Sequence, residues 1–332
     1  MLIRTSIFAV VAVVVAAGGL LLSAALTAAE EDRPPLPSDQ IWRSIFARPA
    51  PRSIDPIEAK RQALGAALFF DPRLSRDGDR SCASCHQPDK GYSDGRSRAL
   101  GRDGTPLKRN TPHLFNLAEA TSFYWDGREP TLESQARVPL TADNELGMDM
   151  GRITEVFAGD DEVRAKFAEA FPGETEIRDT LIIAALAAYE RSLTSPETRF
   201  DAWVRGDDMA LDETELRGFR IFVGKGGCVS CHGGWRMTDD AFHDIGLESA
   251  DPGRGAISGG TPGIPAFKTP GLRQVSRTAP YMHDGSLAAL EDAVDHYAGK
   301  VISRPSLSPN IVRHLKLDPD ERAALVAFLK TL

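Results

Sequence analysis

Cysteine is scarce in this chain, at four among 332 residues. Four are too few to staple a fold of this length, so a buried apolar core must hold it together. Aromatic residues are sparse as well, at 7%, and the apolar–polar alternation that marks half-buried strands is weak throughout. The expected fold is therefore mostly α, with long loops. Clustered positive charge is also missing: the formal net charge is −8 and no Lys/Arg block occurs. That argues against nucleic acid as a partner, because phosphate binding needs concentrated cations. An acidic surface suits a basic protein partner better. With 42% hydrophobic and 26% charged residues, the composition is that of a globular protein and not of a disordered, collagenous or multi-span membrane chain.

A long apolar run occurs at the start. Arg4 precedes Ile7 to Leu22, and the small residues Thr27, Ala28 and Ala29 stand before Glu30-Glu31-Asp32. This is the layout of a secretory signal peptide cleaved near Ala29, which implies a periplasmic protein. The alternative is an uncleaved anchor over Ile7 to Leu26, long enough to span a bilayer, and a membrane enters only in that case. The rest suits two domains of about 150 residues each. The boundaries read as 1–29 for the signal peptide, 30–55 for an N-terminal extension, 56–200 for a first domain and 201–332 for a second.

What is present is concentrated in the cysteines. All four belong to two copies of one motif, Cys82-Ala83-Ser84-Cys85-His86 and Cys228-Val229-Ser230-Cys231-His232, whose histidines lie 146 residues apart. C-x-x-C-H is the attachment signature of c-type haem: two thiols form thioethers to the porphyrin, and the adjacent histidine reaches the iron. Two disulfides, a thioredoxin-like redox pair or a zinc site built from both pairs are the alternatives. None explains a histidine after each pair. Two covalently bound haems c are expected, held by Cys82, Cys85 and His86 and by Cys228, Cys231 and His232.

A weak internal repeat supports two cytochrome-like halves. Leu64, Leu68 and Phe69 precede the first motif at helical spacing, and Leu216, Phe219, Ile221 and Phe222 precede the second. Each half closes on a similar segment: Ala185 to Leu193 lines up without a gap against Ala324 to Leu332. The second has a start signal in Asp318-Pro319-Asp320-Glu321, with Asp as cap and Pro in the first turn. Gly- and Pro-rich stretches such as Gly91 to Pro112 and Asp251 to Pro270 lie between motif and closing helix. Apolar porphyrin would let such irregular chain stay ordered.

Further segments are specific: Leu64-Gly65 through Leu68-Phe69-Phe70-Asp71-Pro72-Arg73-Leu74-Ser75, Arg109-Asn110-Thr111-Pro112, Trp125-Asp126-Gly127-Arg128, Phe242-His243-Asp244-Ile245-Gly246 and Ala279-Pro280-Tyr281-Met282-His283-Asp284-Gly285. From about Ala63 to Leu332 the chain resembles the bacterial di-haem cytochrome c peroxidases and the related MauG proteins. The resemblance implies two cytochrome c domains with haems facing a shared interface, hydrogen peroxide reacting at the first and electrons handled at the second. It gives Glu145 the acid–base role and Gln135, ten residues earlier, the role of orienting group. Heterolysis of peroxide needs both, to move a proton between the oxygens and to hold the leaving hydroxide. It places Trp125 between the haems as a residue that can carry a hole. Asn110, with the carbonyls of Thr278 and Pro280, matches the family's calcium site, which uses the oxygen donors that calcium requires.

Two departures from the ordinary peroxidase pattern bear on mechanism. Many members carry a histidine in the loop before Arg-Asn-Thr-Pro that caps the first iron, whereas here the loop reads Leu100-Gly101-Arg102-Asp103-Gly104. His113 is the nearest candidate and reads better as structural. Electron-accepting members place a methionine nineteen residues after the threonine of the Thr-Ala-Pro-Tyr loop; counting from Thr278 gives Tyr297. MauG has a tyrosine there, which brings the chain closer to MauG. An anionic oxygen ligand favours the higher oxidation state of iron. Met282 and Met237 are the other candidates for that iron, and Tyr297 also fits as a core aromatic. His243 and His283 read as structural, His296 and His314 as surface residues, and Arg273 and Lys268 as partners for haem propionates. The expected function is a periplasmic MauG-type oxidase that uses peroxide to oxidise a protein or small reductant. A cytochrome c peroxidase fed by a small cytochrome or cupredoxin is the alternative, and a non-enzymatic electron-transfer cytochrome is the second alternative.

Overall fold

The computed structural model describes residues 38–332 apart from 52, 258 and 259. The expected signal peptide lies outside the described residues. Among the described residues no helix is long and apolar enough to cross a membrane. The elements are mostly helical: α1 (Asp39–Phe46), α2 (Pro56–Phe69), α3 (Leu132–Thr141), α4 (Met150–Ala158), α5 (Asp161–Ala170), α6 (Asp179–Ser192), α7 (Arg199–Val204), α8 (Glu213–Val223), α9 (Leu290–Asp295) and α10 (Pro319–Leu329). Two-residue strands, β1 (Phe242–His243) and β2 (Phe267–Lys268), pair antiparallel.

Local chemistry sets the helix ends. The Asp55 carboxylate accepts from the amides of Ile57 and Glu58, with Pro56 in the first turn of α2. Asp212 with Glu215 and Asp318 with Glu321 form reciprocal capping boxes for α8 and α10. The start signal read at Asp318 is thus the observed one.

Two apolar cores follow. One gathers Leu64, Leu68 and Phe69 of α2 with Ile182, Ile183, Ala185 and Leu186 of α6. The other gathers Phe219 and Phe222 of α8 with Ala324, Leu325 and Phe328 of α10. Each opening helix lies on its closing helix, and each contact needs a glycine. A Cβ on Gly65 would sit 1.9 Å from the Ala185 carbonyl oxygen and 2.9 Å from Tyr189 Cβ. A Cβ on Gly218 would sit 1.9 Å from the Ala324 oxygen and 2.8 Å from Phe328 Cβ. These are matching positions in the gapless alignment of the closing segments, so the sequence repeat is a repeat of helix crossing.

A methyl group at that crossing meets backbone, which has no rotamer to change. Gly218→Ala is expected to cost about 3 kcal/mol, the upper end for overpacking. Guanidinium unfolding of the holoprotein measures it, and a loss below about 1 kcal/mol would show that the helices separate easily.

The N-terminal extension has an unexpected place. α1 sends Trp42 and Phe46 into the second core, against Phe200 of α7 and Phe219 of α8. Arg48 follows, its guanidinium paired through Nε and Nη2 with the Asp201 carboxylate at 2.9 Å each. α7 runs across residues 200 and 201, and its Phe200, Trp203 and Val204 all belong to the second core.

Candidate haem sites and the cavity between them

Each C-x-x-C-H motif opens as a single 3-10 turn, Cys82–Ser84 and Cys228–Ser230, between the opening and closing helices of its half. The amides of His86 and His232 donate to the carbonyls of Cys82 and Cys228, both at 2.9 Å. Cys82 packs against the first core and Cys228 against the second. His86 Nδ1 stands 2.9 Å from the Tyr92 carbonyl and His232 Nδ1 stands 3.0 Å from the Met237 carbonyl. A carbonyl on Nδ1 fixes the tautomer and leaves Nε2 as the metal-binding nitrogen. Burial lowers the pKa of both imidazoles, which favours the neutral form that binds iron.

Both histidines line one continuous cavity of about 1060 Å³. That is at the top of the usual small-molecule range of roughly 300–1,000 Å³. Its walls carry Cys85 and His86 at one end and Cys228, Cys231 and His232 at the other. The donor set and the space fit two haems facing a shared interface. The zinc alternative does not fit: among the described residues, the group of three or more potential metal ligands within 4.8 Å is Cys231, Asp239 and His243. It contains one cysteine, which haem attachment would consume.

The same walls hold nearly all the residues that the sequence picked out. Gln135, on α3, and Glu145, in the loop after it, line the cavity together with His86. Burial raises the Glu145 pKa, and the Arg128 cation partly offsets that rise. Arg128 lies 3.4 Å over the Tyr124 ring, and both side chains line the cavity. Sequence reasoning gave neither a role, although Arg128 stood inside a quoted motif.

Trp125 lines the cavity, its Nε1 donating to the Asn110 carbonyl at 2.9 Å and its own carbonyl accepting from the Lys268 amide at 2.8 Å. Arg109 bridges the halves, from Asp126 at 2.6 Å to Asp251 at 2.7 Å, and holds the Asp251 carboxyl down at about 2. Asn110, Thr278 and Pro280 also line the cavity. Asn110 Nδ2 donates to the Arg96 carbonyl at 2.9 Å, which leaves its oxygen uncommitted to that bond.

At the second end, Tyr297 lies in the π-helical turn His296–Lys300 that continues α9 and faces the cavity that His232 lines. Its phenol pKa is raised by burial. Met282 also lines the cavity. Met237 does not fit as a ligand: its side chain is fully buried in the second core.

Other expectations need correction. Arg273 is not available to a propionate. It is fully buried, paired with Asp201 at 2.8 Å and bonded to the Trp235 carbonyl at 2.7 Å. Lys268 lines the cavity but is paired with Asp240 at 2.7 Å. His296 is a buried residue bonded to the Ile245 carbonyl at 2.9 Å, whereas His314 is exposed. His113 is structural, as expected: Nε2 stands 3.0 Å from the Gly271 carbonyl and Nδ1 accepts from the Phe115 amide at 3.2 Å. His243 and His283 are held by Ser308 and Asp239, and by Ser249.

Comparison with known proteins agrees with this geometry. The pattern of the di-haem cytochrome c peroxidase family matches residues 59–209, and that of cytochrome c matches residues 216–332. The methylamine utilization protein MauG of Methylorubrum extorquens is 46% identical over 289 residues, covering 86% of this chain and 81% of that protein. The chain belongs to the di-haem cytochrome c peroxidase and MauG family. Within this family the cytochrome c551 peroxidase of Nitrosomonas europaea is 33% identical, over 85% of this chain and 82% of that one. The crystal structure of a MauG-like protein associated with microbial copper homeostasis superposes with a TM-score of 0.76 at 31% identity, covering 91% of this chain and 94% of that one. The protein is thus a di-haem peroxidase-type oxidoreductase with two cytochrome-c-like domains. Its intact mass after denaturation and acid extraction is expected to include two haems, and Cys228→Ala combined with Cys231→Ala is expected to leave one.

Proposed function

We propose that the chain is a periplasmic MauG-type oxidase: hydrogen peroxide reacts at the first haem site, and the oxidising equivalents pass to a protein substrate. The observation that carries this reading is Tyr297 in the wall that His232 lines, where an electron-accepting peroxidase would have methionine. Greater identity to MauG than to the cytochrome c551 peroxidase supports it. Export rests on the composition of residues 1–29.

When bound, haem would supply the redox chemistry. The chain's own residues do the rest. Glu145 takes the proton from the near oxygen of peroxide and returns it to the far one, and the Gln135 amide holds the leaving hydroxide. Arg128 partly offsets the rise that burial imposes on the Glu145 pKa. Trp125, fixed by Asn110 and by the backbone of Lys268, stands where a hole crosses between the halves. Asn110 and the carbonyls of Thr278 and Pro280 would hold a calcium ion, as an oxygen-only set.

Neither the Leu100–Gly104 loop nor His113 would cap a first iron in the resting protein. The loop Leu100–Gly104 has no histidine, and both ring nitrogens of His113 are engaged elsewhere. The fully ferric protein is expected to show a high-spin component by electron paramagnetic resonance and to react with peroxide without prior reduction. A wholly low-spin spectrum would point to the electron-transfer alternative.

A further inference from the structure

Behind the first site lies a pair of phenols with no part in the route just described. The hydroxyls of Tyr92 and Tyr189 are 3.0 Å apart. The pair is tied to the site through several contacts. Tyr92 supplies the carbonyl that holds His86 Nδ1 at 2.9 Å. Its ring lies 5.3 Å from that of Phe115, which lines the cavity. Tyr189 lies 5.1 Å from Phe69, whose ring is 6.5 Å from the His86 imidazole. On the far side Tyr189 is 6.5 Å from Phe70, a ring 48% exposed. The aromatic contacts therefore run from the first histidine to the surface without passing Trp125.

A phenol is the most readily oxidised group on this path, and a hydrogen bond to a second phenol stabilises the neutral radical left after the proton departs. We propose that Tyr92 and Tyr189 form a redox-active pair that yields an electron to the first haem site when no donor is bound, draining oxidising equivalents away from the peroxide pocket. This rests on the reading that peroxide reacts at the first site. In the step, one tyrosine O–H bond breaks and its electron passes to the site. One peroxide needs two electrons and two protons to become two waters. One electron is the tyrosine's and one comes from the haem system; one proton is the phenol's and one comes from solvent. A neutral phenol that loses an electron becomes so strong an acid that its proton leaves with it.

The test is to mix the ferric holoprotein, without donor, with one equivalent of hydrogen peroxide and freeze it for electron paramagnetic resonance. Wild type is expected to give a phenoxyl radical whose g-tensor is that of a hydrogen-bonded tyrosyl. Tyr189→Phe is expected to shift that tensor to the value of a phenoxyl lacking the bond, and Tyr92→Phe with Tyr189→Phe to abolish the signal. Retention of two haems by mass checks that the variants assemble. Ring-deuterated tyrosine in the wild-type protein, which needs no substitution, should collapse the hyperfine structure. A radical insensitive to deuteration, or none despite a Soret response to peroxide, would overturn the proposal and leave the peroxide reading standing. No Soret response at all would remove both.

Discussion

Glu145→Gln slows the peroxide step by about 10²- to 10⁴-fold, the usual worth of a positioned acid–base group. The amide keeps the shape but cannot take a proton. Stopped-flow absorbance of the ferric protein with peroxide measures the effect, and an unchanged rate would remove Glu145 from the mechanism. The pH profile adds a second check. Burial raises the Glu145 pKa, and the base form is the active one. The wild-type rate should therefore rise with pH through a midpoint above that of an ordinary glutamate, whereas the variant's profile should be flat there. Haem assembly should be the same in both proteins, since Glu145 lies in a loop and caps no helix.

Tyr297→Met raises the potential of the second haem by on the order of hundreds of millivolts, a sizeable part of the ~0.8 V over which axial ligands tune haem. A neutral thioether favours ferrous iron, whereas an oxygen donor favours the ferric state. The substituted protein should accept electrons from a reduced small cytochrome that is a poor donor to the wild type. Spectroelectrochemical titration of both, with turnover on peroxide and reduced cytochrome, measures this. A wild-type second haem already at high potential, with brisk cytochrome turnover, would make Met282 the ligand and the protein a cytochrome c peroxidase.

The features legible in sequence were those whose parts lie close together along the chain. The C-x-x-C-H turns, the cap at Asp318 and the two closing helices all fall within a few residues of their own signals. Gly65 was visible as a motif letter and Gly218 was not, and the purpose of both appears only when α6 and α10 lie across them. The cavity residues Gln135, Glu145, Trp125 and Tyr297 came from family resemblance, because spacing alone cannot bring α3 or the turn after α9 to a haem. The errors have the same origin. Arg273 reads as a cation free for a propionate until Asp201, 72 residues earlier, is found beside it. His296 reads as exposed among Asp295 and Lys300 until the Ile245 carbonyl takes its ring nitrogen. Long-range pairing of polar groups leaves no local trace.

The placement of α1 fixes an order of events in time. Residues made early in synthesis, Trp42 and Phe46, find their partners Phe200 and Phe219 only after the whole first domain has been made. Closing so long a loop costs little more entropy than closing a shorter one, since the cost grows with the logarithm of length. The delay is set by synthesis instead. The first domain can wrap its haem while α1 waits with an apolar face uncovered, and the second domain cannot complete its wall until α1 returns. A fragment beginning at residue 201 would lack both α1 and Phe200, and would expose the rings of Trp203 and Phe219 to water.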